Sequence, residues 1–206
     1  HAGVSVGPDG ATHQMTEDIA LMRVLPEMTV LVPCDANETR KATIAAAKKK
    51  GPVYVRFARS KTPVFTTPSS KFEIGKAEVL LKGTDVALIG CGPILYECLL
   101  AADQLSKLGI KARVINNASV KPMDEKTILS AAKECGCIVT AEEAQAAGGM
   151  GSAVAELLSE EFPVPIERVG LQDEFGQSGK PEELLEHYKL TAPWIVKAVQ
   201  KVIKKK

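Results

Sequence analysis

The sequence VALIGCGPILYECLLAADQLSKLG, residues 86–109, contains the pattern that decides the fold. Its first five residues form an apolar run, which is typical of a buried strand. A Gly-Cys-Gly-Pro turn follows, and the apolar residues of Ile94–Leu108 then recur at helical spacing until Gly109. A second apolar run, Ala112–Ile115, comes directly afterwards. The stretch therefore predicts one strand–helix–strand unit.

The same alternation continues toward the C-terminus. It predicts helices at Asp124–Glu134 and Ser152–Glu161, strands at Cys137–Thr140 and Val164–Val169, and two final helices at Pro181–Tyr188 and Pro193–Lys204. Proline suits the first turn of a helix, where its missing N–H costs nothing. Repeated strand–helix units of this length imply an α/β fold, with a largely parallel sheet covered by helices.

One antiparallel strand is expected at the edge of this sheet. The strand-like runs Lys76–Lys82 and Val86–Gly90 are separated by Gly83-Thr84-Asp85, a turn sequence that predicts a hairpin. A hairpin pairs its strands in antiparallel fashion. The sequence therefore predicts a mostly parallel five-stranded sheet with one antiparallel edge strand.

The first third of the chain has its own pattern. It predicts a helix at Met15–Leu25, a strand at Thr29–Val32, a helix at Asp35–Lys49 and a strand at Val53–Arg59. Ser60–Lys71 then combines proline with serine and threonine and shows little periodicity, which indicates an interdomain linker. A long surface loop is the alternative. We expect two domains, at residues 1–67 and 72–206.

Composition excludes several classes of function. A formal net charge of +1 on 206 residues argues against a dedicated surface for nucleic acid or for a membrane. No apolar run approaches the roughly 20 residues of a membrane helix, and the sequence shows no secretory signal. The five cysteines are odd in number, which suits reduced thiols in the cytoplasm. Because the chain starts at His1, we expect further sequence upstream.

Two glycine-rich motifs invite a ligand-binding interpretation. GCGPIL, residues 90–95, has leucine at the third glycine position of a dinucleotide site, and Asn116-Asn117 replace the acid expected after the next strand. A structural turn is therefore favoured. GGMGS, residues 148–152, could cradle an anion at a helix start, but it lacks the phosphate-loop lysine, so a plain helix entry is favoured. The neighbouring Glu142 and Glu143 should point to opposite faces of their strand.

The opening sequence HAGVSVGPDGATHQ, residues 1–14, carries two histidines and an aspartate. Glycine and proline favour turns here, so we expect a tight loop that presents His1, Asp9 and His13. An ordinary surface loop is the alternative, since loops are enriched in these residues whatever their role.

Arg59 is the second candidate for a functional side chain. It closes an otherwise apolar row of the predicted strand Val53–Arg59, which suits a guanidinium that binds a phosphate or carboxylate. A salt bridge to a neighbouring loop is the alternative.

Long motifs of the chain resemble those of transketolases. GPDGATHQMTEDIALMRVLPEMTVLVPCDANET (7–39) and GPVYVRFAR (51–59) look like the later part of their pyrimidine-binding domain. GIKARVINNASVKPMDE (109–125), VTAEEAQAAGGMGSAVAELL (139–158) and DEFGQSGKPEELLEHYKLTA (173–192) look like their C-terminal domain. The resemblance covers essentially the whole chain and is closest to the C-terminal subunit of split transketolases.

This resemblance implies a thiamine-diphosphate enzyme that transfers a two-carbon ketol unit from a ketose phosphate to an aldose phosphate, in the pentose phosphate pathway. By motif, His1 and His13 resemble the active-site histidines that contact the sugar and assist proton transfer. Asp9 resembles the aspartate that recognises a substrate hydroxyl, and Arg59 the arginine that holds the sugar phosphate. A histidine can exchange protons near neutral pH, and a guanidinium matches the geometry of phosphate.

The resemblance also implies partners and missing parts. Pro8 replaces a glutamate of many family members and Ala2 replaces an aspartate of some, so substrate preference does not transfer to this chain. The cofactor-activating glutamate and the aromatic residue that stacks on the pyrimidine lie upstream of the matching region. The ligands of the diphosphate and of Mg²⁺ belong to an N-terminal, diphosphate-binding subunit. We therefore expect a complex with that subunit, a homodimer formed through both domains, and no activity of this chain alone.

Three alternatives remain open. A 1-deoxyxylulose-5-phosphate synthase-like enzyme shares the cofactor and a similar loop, and the β subunit of a 2-oxo acid dehydrogenase is more distant. HQMTEDIAL (13–21) and GQSGKPEELL (176–185) look more like transketolase than either. A non-catalytic dimerisation or assembly module is the alternative of a different class.

Overall fold

The structure is a computed structural model that describes residues 1–206. Seven α-helices and eight strands form the chain after two short 3₁₀ turns, Val4–Val6 and Ala11–His13. The strands are β1 (Thr29–Leu31), β2 (Val53–Val55), β3 (Glu78–Leu81), β4 (Val86–Gly90), β5 (Ala112–Asn116), β6 (Ser119–Lys121), β7 (Ile138–Gln145) and β8 (Ile166–Leu171). The helices are α1 (Asp18–Val24), α2 (Ala36–Lys48), α3 (Leu95–Lys107), α4 (Glu125–Cys135), α5 (Met150–Glu161), α6 (Pro181–His187) and α7 (Ala192–Ile203). None of the helices combines the length and the apolar character needed to cross a membrane.

The larger sheet has five strands in the order β3-β5-β4-β7-β8. All neighbouring pairs are parallel except β3 with β5, so the predicted α/β sheet with one antiparallel edge is confirmed. Strand β4 is buried along its whole length, as expected for an apolar run between two parallel neighbours.

The predicted hairpin is wrong. β3 does not pair with β4; it pairs with β5, in a register that places Val79 opposite Ile115. The reason is burial. β4 is apolar at every position and takes the centre of the sheet, whereas every second residue of β3, including Val79 and Leu81, is solvent-exposed. Such a half-exposed strand suits an edge.

A smaller sheet joins the two parts of the chain. Its order is β2-β1-β6, with β1 parallel to β2 and antiparallel to β6. β6 was not predicted, because a strand of only three residues is too short to show a two-residue period. The predicted strand Val53–Arg59 is also shorter, since ladder pairing ends at Val55.

The segment Ser60–Lys71 contains no helix or strand and lies against α2. The carboxylate of Asp35, which caps α2, accepts hydrogen bonds from the amides of Phe65 (3.0 Å) and Thr66 (2.7 Å). Lys41 of α2 donates to the carbonyl of Ser70 at 2.6 Å. These bonds fix the path of the chain between its two parts.

Two hydrophobic clusters cover the two faces of the larger sheet. Along β4, Val86 and Leu88 belong to the cluster that contains α3 and α7, and Ala87 and Ile89 belong to the one that contains α4 and α5. This alternation follows from the two-residue period of a strand. The second cluster also includes Ile19 and Val30. The first third of the chain therefore shares its core with the rest.

A buried ion pair ties α1 to the end of β2. The Arg56 Nε donates to Asp18 Oδ2 at 2.8 Å, and both side chains are at most 4% exposed. The hydroxyl of Tyr54 donates to the same oxygen at 2.7 Å. Burial beside this carboxylate raises the pKa of Tyr54. Arg56 Nη2 also donates to the carbonyl oxygens of Met15 (3.2 Å) and Glu143 (3.0 Å).

We expect Asp18→Asn to lower the free energy of unfolding by about 3–5 kcal/mol, because it leaves the guanidinium of Arg56 buried without its counter-charge. Urea denaturation monitored by circular dichroism measures this. The matched control is Asp103→Asn, which breaks the exposed pair with Lys107 and should cost less than about 1 kcal/mol. Equal effects of the two substitutions would contradict the structural role given to Arg56.

Candidate functional site

The opening loop, residues 1–14, is shaped by glycines that nothing larger could replace. Gly3 and Gly10 both have a φ of 78°, a backbone region that favours glycine, and each precedes one of the 3₁₀ turns. A Cβ on Gly3 would lie 2.2 Å from Glu143 Oε1, and a Cβ on Gly10 would lie 2.6 Å from Ser178 Oγ. The loop therefore rests directly on two segments of the C-terminal part of the chain.

Gln14 holds the loop closed from inside. Its buried side-chain amide donates to the carbonyl oxygens of Val4 (3.0 Å) and Gly7 (3.3 Å) within the loop. It also donates to the carbonyl of Gln177 at 2.9 Å, across to the C-terminal part. This residue was not recognised in the sequence, because a single glutamine after a histidine carries no pattern.

The structure brings the two histidines together. Both His1 and His13 are exposed and line one cleft of about 320 Å³ with Thr12, Met15 and Glu17. Backbone hydrogen bonds join the two ends of the loop, from Met15 N to His1 O and from Gly3 N to Met15 O, both 2.8 Å. The Thr12 hydroxyl lies 3.0 Å from Nδ1 of His13.

Asp9 and Arg59 form an ion pair with each other. Their side chains are 31% and 45% exposed, and Arg59 lines a groove of about 490 Å³ together with Lys61 and the start of α2. This contact is the salt bridge to a neighbouring loop that the sequence left as the alternative for Arg59. An exposed ion pair contributes at most about 1 kcal/mol, so an anionic ligand can compete with Asp9 for the guanidinium.

The four residues thus form two pairs, and all of them except Arg59, which follows β2, lie in the opening loop. His1 and His13 share the cleft, while Asp9 and Arg59 meet beside the groove.

Glu142 occupies the place that an external anion would take at the glycine-rich motif, residues 148–152. Its carboxylate accepts hydrogen bonds from the backbone N–H groups of Met150 (2.7 Å) and Gly151 (2.8 Å) at the start of α5. The positive end of the helix is therefore occupied by a carboxylate of the same chain. A Cβ on Gly149 would lie 2.1 Å from this carboxylate, which explains the glycine. The plain helix entry is confirmed.

Glu143 faces the other way, as its position in the strand predicts, and contacts the opening loop. Its Oε1 accepts a hydrogen bond from the backbone N–H of Ser5 at 2.7 Å. Burial raises the pKa of both carboxyl groups above the usual range, and that of Glu142 to about 7. Hydrogen bonds and Arg56 oppose this shift without cancelling it.

The GCGPIL motif is a structural turn. The N–H of Gly92 donates to the carbonyl of Val32 at 3.0 Å, and Gly92 has a φ of 72°. A Cβ on Gly90 would lie 2.9 Å from the Leu95 side chain. The glycines therefore serve close packing between β4, α3 and the chain after β1.

The chain offers no metal-binding cluster. No group of three or more His, Cys, Asp and Glu side chains in residues 1–206 is arranged to hold a metal ion. All five cysteines are buried thiols without a disulfide.

Comparison with known families identifies the fold. The model of the transketolase C-terminal domain matches residues 75–195, more than half of the chain. The model of the transketolase pyrimidine-binding domain matches residues 1–64. The chain belongs to the transketolase family, and the resemblance seen in the sequence is confirmed.

Individual relatives agree. The chain is 41% identical over 204 residues to the 6-deoxy-6-sulfo-D-fructose transketolase subunit of Clostridium sp. (strain MSTE9), covering 99% of this chain and 63% of the relative. It is 41% identical over 208 residues to a putative transketolase C-terminal section of Methanocaldococcus jannaschii, covering 100% and 65%. One of the subunits of the apulose-4-phosphate transketolase of Phocaeicola vulgatus is also 41% identical, over 204 residues that cover 98% and 65%. The chain thus spans just under two thirds of the length of these relatives.

Solved structures show the same fold. A split-gene transketolase, described as an inactive β4 tetramer, superposes with a TM-score of 0.93 at 48% identity, covering 99% of this chain and 65% of that one. Transketolase of Campylobacter jejuni superposes with a TM-score of 0.75 at 22% identity, covering 98% and 30%, which shows the fold alone.

The buried carboxyl groups predict how stability depends on pH. The pKa values of Glu38, Glu142 and Glu143 are raised above the unfolded value of 4.5, so the folded state retains protons that the unfolded state has lost. The stabilisation is present below about pH 4.5 and is lost as the pH rises through the folded pKa, about 7 for Glu142. The free energy of unfolding should therefore fall between about pH 5 and pH 7, by about 1 kcal/mol per pH unit for Glu142, and Glu38 and Glu143 should change it in the same direction.

Chemical denaturation at several pH values measures this slope. Glu142→Gln should flatten it, whereas Glu160→Gln, at an exposed position near the end of α5, should leave it unchanged. A rise in stability across this pH range would refute the assignment.

Proposed function

We propose that this chain is the C-terminal subunit or section of a split transketolase-type enzyme. The reaction transfers a two-carbon ketol unit from a ketose that carries an anionic group, such as phosphate, to an aldose phosphate in carbohydrate metabolism. Family membership and the subunit names of the relatives support this proposal. The observation that carries it is the arrangement of the opening loop, which contributes two exposed histidines to one cleft and an exposed aspartate that pairs with Arg59.

Arg59 binds the anionic group of the sugar in this proposal. Its guanidinium is half-exposed at the rim of the groove and is neutralised only by Asp9. A phosphate offers two oxygens to the planar guanidinium and carries more charge than one carboxylate, so it can replace Asp9. Asp9, once released, accepts a hydrogen bond from a substrate hydroxyl.

His1 and His13 exchange protons with the substrate oxygens. An imidazole titrates close to neutral pH and can either donate or accept a proton at that pH. Two imidazoles in one cleft can contact different oxygens of the same sugar. Thr12 holds one nitrogen of His13, which orients the ring toward the cleft.

Thiamine diphosphate and Mg²⁺ are the cofactors that the family implies. Among residues 1–206, no group of three or more His, Cys, Asp and Glu side chains is arranged to hold a metal ion. In this proposal, an N-terminal, diphosphate-binding subunit and residues outside this chain bind both groups.

The proposed organisation has two domains and two kinds of contact. The division at residues 1–67 and 72–206 is supported by the family models, which leave residues 65–74 outside both matches. The partners are the diphosphate-binding subunit and a second copy of this chain, in a dimer formed through both domains. A cytoplasmic location is supported by the five unpaired thiols.

Reconstitution tests the proposed reaction. This chain alone, supplied with thiamine diphosphate and Mg²⁺, should not turn over xylulose 5-phosphate and ribose 5-phosphate, because half of the site is missing. The subunit as encoded by its gene, combined with the diphosphate-binding subunit, should convert these two sugar phosphates. A coupled enzyme assay follows the formation of the products. Turnover by the isolated chain, or release of CO₂ from pyruvate by the complex, would contradict the proposal.

Substitutions in the reconstituted complex test the residue roles. His13→Ala should lower kcat by about 100-fold or more, as expected for loss of a proton-transfer group. Arg59→Ala should lower kcat/KM by about 100-fold, and Arg59→Lys should restore little, because lysine lacks the bidentate geometry.

The matched controls are His187→Ala and Arg40→Ala, two exposed residues that line neither the histidine cleft nor the groove of Arg59. They should retain full activity, and analytical ultracentrifugation should show intact assembly for all variants. If His13→Ala and Arg59→Ala keep their activity, or lose it only because the complex of the two subunits dissociates, the chain acts as an assembly module.

A further inference from the structure

The loop between β8 and α6, residues 172–180, is held rigidly by side chains of three other segments. The amide of Gln145 donates to the carbonyl of Glu174 at 2.8 Å. The Tyr188 hydroxyl donates to the carbonyl of Phe175 at 2.7 Å. Gln14 donates to the carbonyl of Gln177 at 2.9 Å. The backbone on both sides of Phe175 is thus fixed from the inside.

Phe175 points away from all of these contacts. It is 93% exposed, the most exposed of the large hydrophobic side chains of the chain, ahead of Val24 at 74%. A phenylalanine that a fixed backbone holds in water loses the stabilisation that burial of its ring would give. Such a residue is typical of an interface anchor, because aromatic residues, including phenylalanine, are enriched at the cores of protein interfaces.

The position of Phe175 identifies what it meets. A Cβ on the next residue, Gly176, would lie 1.9 Å from the side-chain oxygen of Gln14, and Ser178 lies against Gly10 of the opening loop. Gln14 directly follows His13. Phe175 therefore stands on the rim of the proposed half-site, where the protein that completes the site must approach.

We propose that Phe175 is an anchor for the complementary, diphosphate-binding subunit, and this inference rests on the proposed function. The ring inserts into an apolar pocket of that subunit. The exposed carboxylates of Asp173 and Glu174 flank it, so the rim of the pocket carries basic side chains. A second copy of this chain is the less suitable occupant, because it brings no part of the missing half-site to this edge.

The test is the affinity of the encoded subunit for the diphosphate-binding subunit from the same organism, measured by isothermal titration calorimetry. Phe175→Ala should weaken the complex at least tenfold, and Phe175→Leu should weaken it less, because leucine keeps much of the apolar area. Neither variant should change the thermal unfolding of the isolated chain, since the ring contacts little of it.

The matched control is Leu108→Ala. Leu108 is exposed and follows the C-terminal end of α3, shortly before β5 begins. Phe175 follows the C-terminal end of β8, which runs in the same direction as β5, so the two residues lie at opposite ends of the parallel strands. This variant should bind like the wild type.

Three results would overturn the inference. The first is that the wild type binds the diphosphate-binding subunit and Phe175→Ala binds it with the same affinity. The second is that Phe175→Ala loses self-association in sedimentation experiments but still binds the diphosphate-binding subunit. The third is failure of the wild type to bind the diphosphate-binding subunit, which removes the proposed function as well.

Discussion

The guanidinium of Arg56 is the interaction on which the arrangement of this protein depends. It is buried, it pairs with Asp18, and it donates to the backbone carbonyls of Met15 and Glu143. A buried cation is tolerated only where its donors are satisfied, so these partners must keep their positions. Met15 directly follows the opening loop and Glu143 lies near the end of β7. One side chain therefore fixes the loop relative to the central sheet.

The contacts around this ion pair give the C-terminal part a physical role in supporting the opening loop. The loop that carries His1, Asp9 and His13 has little core of its own. It is supported by Glu143, which accepts the N–H of Ser5, and by Gln14, which reaches the loop after β8. Glycines in the loop allow these segments to approach within van der Waals contact. The geometry of the proposed site is thus set by residues far away in sequence.

Several features could be predicted from the pattern of residues alone. Apolar runs alternating with helical periods predicted a mostly parallel sheet, and the missing glycine and acid favoured a structural turn at residues 90–95, where Gly90 packs against Leu95. The same pattern could not show which strands are neighbours. The turn at Gly83-Thr84-Asp85 suggested a hairpin, but the completely apolar β4 requires two parallel neighbours and displaces β3 to the edge. The burial of β4 therefore outweighs the turn propensity of Gly83-Thr84-Asp85.

The sequence by itself determined the type of each long element, the family and the four candidate side chains, because these depend on local spacing and on motifs. Only the tertiary structure decided which arginine is structural and which is exposed, since Arg56 and Arg59 are three residues apart and look alike in the chain. It also decided that Glu142 occupies the start of α5 and that Glu143 supports the loop. The physical reason is that burial and hydrogen-bond partners come from segments far apart in the chain, and no local pattern records them.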